Sequence, residues 1–162
     1  MEHKMSRWGI GPLFAGLSLI YFLVMAVASR TFYLFFNLDI LSNPLFRVAG
    51  VILIIVGIPF LILALFSAHR AYNAGRLVTG GVFSLCRNPI YASWVVFIVP
   101  GLVLFQNSWL VLTSPIFMYI ILINLVQIEE KYLEKMFGDP YLVYKKRVPC
   151  ILPYGFIKSV KI

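Results

Sequence analysis

Charge is what this chain has least of. Asp, Glu, Lys and Arg make up 12% of its 162 residues, about half the share of a soluble domain. With 61% hydrophobic residues, that deficit excludes an ordinary soluble protein and predicts a membrane one. Cysteine and histidine are nearly absent, two of each. Neither Cys86 nor Cys150 has a second cysteine close by, and no histidine cluster accompanies them, so no metal site is expected. Acidic residues are also few, six against fourteen basic, for a net charge of +8. In a soluble protein that surplus would suggest nucleic acid. In a membrane protein basic residues gather on the cytosolic side and meet anionic lipid there, so no nucleic-acid partner is expected. Internal repeats and low-complexity linkers are missing too. One domain over 1–162 is expected, with two N-terminal spans in 1–68 and a loop, a helical hairpin and a cytosolic tail in 69–162.

A helix needs about 20 mostly apolar residues to cross the hydrocarbon core. Four stretches meet or approach that length: 9–29, 46–68, the shorter 90–105, and 109–127. Only Gln106, Asn107 and Ser108 separate the last two, which predicts a tight hairpin. Segment 31–45, with Phe32, Tyr33, Phe35 and Phe36, reads as an interfacial connection. Pro59, Pro100 and Pro115 lie inside spans, where neighbouring helices can satisfy the freed carbonyls and a kink is expected. The expected fold class is an all-α integral membrane protein. It would have about four transmembrane helices and a C-terminal amphipathic cytosolic helical segment.

The basic residues orient this frame. Lys4 and Arg7 precede the first span. Arg70, Arg76 and Arg87 lie between the second and third, and seven more follow the fourth. Twelve of fourteen thus fall on one side, with Arg30 and Arg47 on the other. The positive-inside rule then puts both termini and the 69–89 loop in the cytosol, where no disulfide is expected. Ala26-Val27-Ala28 resembles a signal-peptidase site. The preceding apolar run is longer than a signal core, however, and cleavage would delete a span.

Two cytosolic segments carry the chemistry. In the first, Gly80 and Gly81 permit a tight turn or close approach to a ligand. Asn88-Pro89 then reads as a helix start, Asn as N-cap and Pro as first helical residue. Free N–H groups beside the Arg87 guanidinium would suit a carboxylate, although positive-inside anchoring and ordinary capping account for the same residues. In the second, Tyr132, Leu133, Met136 and Phe137 recur at helical spacing, so the fourth span continues as an amphipathic helix. Gly138 stops it, Asp139-Pro140 starts another, and Pro149 ends that one. Tyr141 and Tyr144 share a face. Glu129 and Glu130 stand where the span leaves the lipid, with Asn124 and Gln127 deeper. Polar groups at that depth are expected to face the bundle interior or a cavity. Glu134 reads as solvated, offset by Lys131 and Lys135.

Taken together, Gly81-Val-Phe83, Arg87-Asn88-Pro89-Ile-Tyr91, the hairpin, Glu129-Glu130, Phe137-Gly138, Tyr141, Tyr144 and Arg147-Val148-Pro149 resemble the isoprenylcysteine carboxyl methyltransferase family. The likeness to phospholipid N-methyltransferases is looser. It covers about 77–155. Asn88 stands where the family has histidine, Phe83 where it has tyrosine, and Ser93 where it has glycine. The resemblance implies S-adenosylmethionine as methyl donor, bordered by Gly81, Arg87, Asn88, Pro89, Tyr91, Tyr141 and Tyr144, with Glu130 on the cofactor's ammonium. It implies Arg147 on the substrate carboxylate and Glu129 assisting or orienting Arg147. The expected substrate is a lipophilic or prenylated carboxylate entering sideways from the lipid, and no obligate protein partner is expected. The membrane would be the plasma or inner membrane in a prokaryote and the endoplasmic reticulum in a eukaryote. Three alternatives stay open: methylation of an amine such as a phospholipid headgroup, an NADPH-dependent reductase, and a scaffold without activity.

Overall fold

The computed structural model describes residues 9–152. Both termini, including Lys4, Arg7, Pro153, Lys158 and Lys161, lie outside the described residues. Among the described residues the regular elements are helices, and β pairing is confined to one isolated bridge between Asn37 and Ser108. Helix α1 spans Gly11–Thr31 and α2 Tyr33–Phe36, and a single 3-10 turn, Asp39–Ser42, leads into α3, Pro44–Asn73. A second 3-10 turn, Gly81–Ser84, precedes α4, Pro89–Ala92. A π-helical turn, Ser93–Ile98, joins α4 to α5, Val99–Val103, and α6, Thr113–Phe137, and α7, Asp139–Arg147, follow.

Helices α1 and α3 are long and apolar enough to cross a membrane. The two later stretches fall short of that standard for different reasons. Pro89–Val103 is a short apolar helix. In α6 the apolar run is diluted by Asn124, Gln127, Glu129 and Glu130. Helix α3 outruns its expected span because nothing stops it at Ala68. At 30 residues it is about 45 Å long. It ends at Gly75, whose φ is +60°, with the Arg76 N–H donating to the Ala71 carbonyl and the Gly75 N–H to that of Tyr72. That is a Schellman closure, for which glycine at the left-handed position is the usual residue. The π-turn sits immediately before Pro100, whose ring is incompatible with a regular carbonyl four residues earlier. The hairpin is looser than its three-residue linker suggested. Asn107 takes φ +48°, and α6 begins only at Thr113.

The helices lie in a row. Helix α1 packs on α6, α6 on the π-turn and α5, and these in turn on α3. The buried residues of α3 are Gly50, Gly57, Ala64 and Ala71, seven apart. A Cβ on Gly50 would stand 2.8 Å from the Gly101 carbonyl oxygen, and one on Gly57 2.7 Å from Phe97 Cβ. Small residues of this kind let membrane helices approach backbone to backbone. On the other flank the Tyr21 ring stacks on Phe117 at 3.7 Å, and its hydroxyl meets Thr113 Oγ1 at 2.9 Å. The aromatic connection between α1 and α3 is fastened to the hairpin tip, where Trp109 Nε1 donates to the Phe35 carbonyl at 3.3 Å.

Gly138, at φ +58°, ends α6 as expected and folds α7 back on it. Past α7 the chain runs as a strap beside the start of α4. The Arg87 N–H donates to the Pro149 carbonyl at 2.8 Å, and the Asn88 N–H to that of Cys150 at 3.1 Å. Ile151 seals the strap into a core shared with Ile10, Phe14, Cys86, Val95, Leu122 and Val126.

Candidate functional site

Residues from four parts of the chain converge where α6 meets the strap. The Arg87 guanidinium is nearly buried and fully engaged. Its Nε and Nη2 donate to Glu130 Oε1 at 3.0 and 2.7 Å. Its Nη1 donates to the carbonyls of Lys145 and Val148 at 2.6 and 2.8 Å. Glu130 is 6% exposed, so this is a desolvated, charge-assisted pair whose separate halves would be costly to leave alone. One residue thereby ties the loop before α4, helix α6 and the end of α7 together.

A second cation shares Glu130. Lys145 Nζ lies 3.0 Å from Glu130 Oε2 and 2.5 Å from Glu134 Oε1. Its bond to Glu134, above all, raises the ammonium's pKa. Glu129, one residue earlier, takes a different direction. It accepts from the Tyr91 hydroxyl at 3.0 Å and from the Ile10 N–H. Cys150 Sγ approaches Glu130 Oε1 at 3.8 Å. Burial, followed by the charge of Glu130, pushes that thiol's pKa up, so it is a poor nucleophile there.

Beside this cluster is a cleft of about 320 Å³. Glu130 and Cys150 stand at one end. Gln127, Val126, Ile123 and Tyr119 continue along α6, and Ile151 and Leu152 of the strap form the other wall. The polarity is graded, with the Glu130 carboxylate at one end and mostly apolar side chains away from it. The volume is in the range of small-molecule pockets.

A family model described as phospholipid methyltransferase matches residues 45–140. The chain belongs to the phospholipid methyltransferase family. The curated relatives it matches are named protein-S-isoprenylcysteine O-methyltransferase, as the motif resemblance led one to expect. The rat protein (Rattus norvegicus) is 32% identical over 123 residues, covering 70% of this chain and 43% of the relative. The human protein (Homo sapiens) is 29% identical over 151 residues, covering 84% and 52%. The B form of Arabidopsis thaliana is 29% identical over 79 residues, covering 49% and 40%. The chain therefore spans about half the length of the curated relatives it matches. No solved structure matches it.

Of the residues that the isoprenylcysteine carboxyl methyltransferase resemblance implicates, Arg87, Asn88, Pro89, Tyr91, Glu129 and Glu130 come together at one end of the row. Gly81 stands apart. Its φ of +62° requires glycine for the turn, and a Cβ there would have no atom within 4 Å. Tyr141 and Tyr144 are buried, and the Tyr144 hydroxyl donates to the Phe83 carbonyl at 2.6 Å. Tyr144 braces α7 against the Gly81–Ser84 turn, the Tyr141 ring lies 6.2 Å from that of Tyr144, and neither lines the cleft. Arg147 is exposed on the last turn of α7, with no hydrogen bond or ion pair among the described residues. Glu129 spends its bonds on Tyr91 and Ile10 rather than on Arg147.

Several local expectations are corrected. Asn88 takes the N-cap position of α4 with Pro89 as its first residue, as expected, but its side chain makes no capping bond, because its amide donates to the Cys150 carbonyl at 3.1 Å. The N–H groups of Arg87 and Asn88, just before the helix, go to the strap. Asn124 faces outward and satisfies itself on the Ile120 carbonyl at 2.7 Å. Glu134 pairs with Lys145 across the α6–α7 turn rather than with Lys131 or Lys135. Lys145 was not singled out from the sequence, and Cys150 was noted only as an unpaired cysteine. The signal for Lys145 was the Gly138 stop, which folds α7 back along the acidic end of α6.

Proposed function

We propose that the chain is an integral membrane methyltransferase that takes its methyl from S-adenosylmethionine and delivers it to the carboxylate of a lipophilic, isoprenylcysteine-like acceptor. Glu130 carries this reading, as a buried carboxylate at the polar end of a cleft whose far end is apolar. The names of the curated relatives support the same reaction. As a single membrane domain, the protein would cross the bilayer four times, the two short stretches completing a hairpin beside α1 and α3. Both termini and the site would face the cytosol.

The residues present fit such a donor. Glu130, oriented by Arg87, offers an acceptor for its ammonium, and the cleft along α6 offers an apolar wall for a ring. S-adenosylmethionine supplies an electrophilic methyl when bound. The rest is the protein's work. A carboxylate acceptor is ionised at neutral pH, so no general base is needed. Arg147, with no partner among the described residues, would hold that carboxylate through a forked pair of hydrogen bonds. Alignment at attack distance then supplies much of the rate, and the strap keeps water from the polar end.

Calorimetric titration of the detergent-purified chain with S-adenosylhomocysteine, NADPH serving as control, tests the donor. Binding that disappears in Glu130→Gln is expected. Binding of NADPH alone would transfer the reading to a reductase, and binding of neither to a scaffold. The family's name favours a second acceptor, a phospholipid amine. An amine must lose a proton, so its methylation would climb with pH, whereas a prenylated cysteine carboxylate gives a flatter profile.

A further inference from the structure

Glu130 has two cations, and they are not held alike. Arg87 is locked by hydrogen bonds to Glu130 and to two backbone carbonyls. It could not withdraw without stranding all of them. Lys145 brings one ammonium on a flexible stem, and its side chain is 35% exposed against 12% for Arg87. It also holds a second carboxylate, Glu134, which is itself 31% exposed. Lys145 can therefore leave Glu130 without losing its charge partner. Arg87 has no such alternative.

We propose that Lys145 is an exchangeable placeholder. Its ammonium occupies the ligand-ammonium position on Glu130 in the empty protein and retires to Glu134 when an aminocarboxylate ligand brings its own. This rests on the reading of Glu130 as the ammonium acceptor of the methyl donor. The exchange swaps one cation for another on Glu130 Oε2 while Arg87 stays on Oε1, so neither oxygen of this desolvated carboxylate loses its cation, which would be costly. It also makes Lys145 a specificity-determining residue. A ligand without an ammonium cannot take over Glu130 and gains nothing from the departure of Lys145.

The test is calorimetric, on the full chain in detergent, with S-adenosylhomocysteine and its deamino analogue as probes. Breaking a partly exposed ion pair costs little, so Lys145→Met should tighten S-adenosylhomocysteine binding only about two- to fivefold. The analogue should bind no more tightly than before. Glu134→Gln removes the place to which Lys145 retires, and should weaken S-adenosylhomocysteine. Weaker or unchanged binding of S-adenosylhomocysteine to Lys145→Met would overturn the exchange. So would an equal shift for both ligands, or an unaffected Glu134→Gln. S-adenosylhomocysteine that fails to bind the unaltered chain, or that still binds Glu130→Gln, overturns the donor-site reading and the exchange with it.

Discussion

The Tyr91 hydroxyl donates to Glu129 Oε2 at 3.0 Å, and the N–H of Ile10 donates to the same carboxylate. Gly9 lies so close that a Cβ there would be 3.2 Å from the Glu129 carboxyl carbon, and Phe14 meets the Tyr91 ring edge-on at 5.4 Å. Glu129 is thus a clasp holding the first turn of α1 against α4 and α6. Tyr91→Phe leaves that carboxylate short of a donor and should lower stability by about 1–3 kcal/mol, read as a fall in the melting temperature in detergent. An unchanged melting temperature would remove the clasp from the account.

Arg87 and Glu130 should be the most sensitive pair. Arg87→Ala leaves a nearly buried carboxylate with only Lys145 and frees two carbonyls. A loss of about 3–5 kcal/mol is expected for such a half-broken pair. Denaturant unfolding of the two forms measures it, and a loss below about 0.5 kcal/mol, the scale of ordinary surface changes, would show that the pair is replaceable.

Arg147 predicts the opposite pattern. It is exposed and bonds to nothing among the described residues, so Arg147→Ala should stay within about 0.5 kcal/mol of the parent in stability. Methyl transfer to a prenylated carboxylate should nevertheless collapse. Arg147→Lys should also be poor, because an ammonium lacks the forked geometry. Transfer at the parent rate in Arg147→Ala would end its assignment to the substrate.

Alkali should destabilise the fold. Burial pushes the Cys86 thiol from 9.0 up to about 12, and burial foremost also raises Tyr141 and Tyr144. In each case the unfolded chain loses its proton at a lower pH than the folded one. The unfolded state then binds fewer protons, and stability falls as pH rises. For Cys86 the loss begins near 9.0 and continues toward about 12, at up to about 1.4 kcal/mol per pH unit. Melting temperatures measured from pH 7 upward should hold level and then decline, and Cys86→Ala should flatten the first part of the decline. A flat profile through pH 10 in the parent would contradict the burial of the thiol.

Much of the C-terminal half was legible because punctuation there is strong. Gly138 followed by Asp139-Pro140 fixes where α6 stops and α7 starts, whereas the pairing of Arg87 with Glu130 was not foreseen. Partners were less legible than positions. Asn88 looked like a cap because capping is local, yet the strap, some sixty residues later, offered its amide a carbonyl instead. Asn124 was expected inside, but a bond to its own helix satisfies it facing out. The seven-residue spacing of Gly50, Gly57, Ala64 and Ala71 stood in plain view. It was hidden because α3 is apolar all round, so hydrophobic periodicity marks no face.

The end of α7 also gives the site an order in time. Arg87 bonds to carbonyls 58 and 61 residues further along the chain. At about 5–20 residues per second of synthesis, it waits roughly 3–12 seconds for them. Throughout that interval the guanidinium must remain hydrated at the membrane surface, because the carboxylate of Glu130 and both carbonyls have yet to be made. The helices before it can settle in the bilayer first. The polar site is assembled last, and a ribosome stalled between Asn88 and Glu130 would leave a bundle half-inserted with no trace of it.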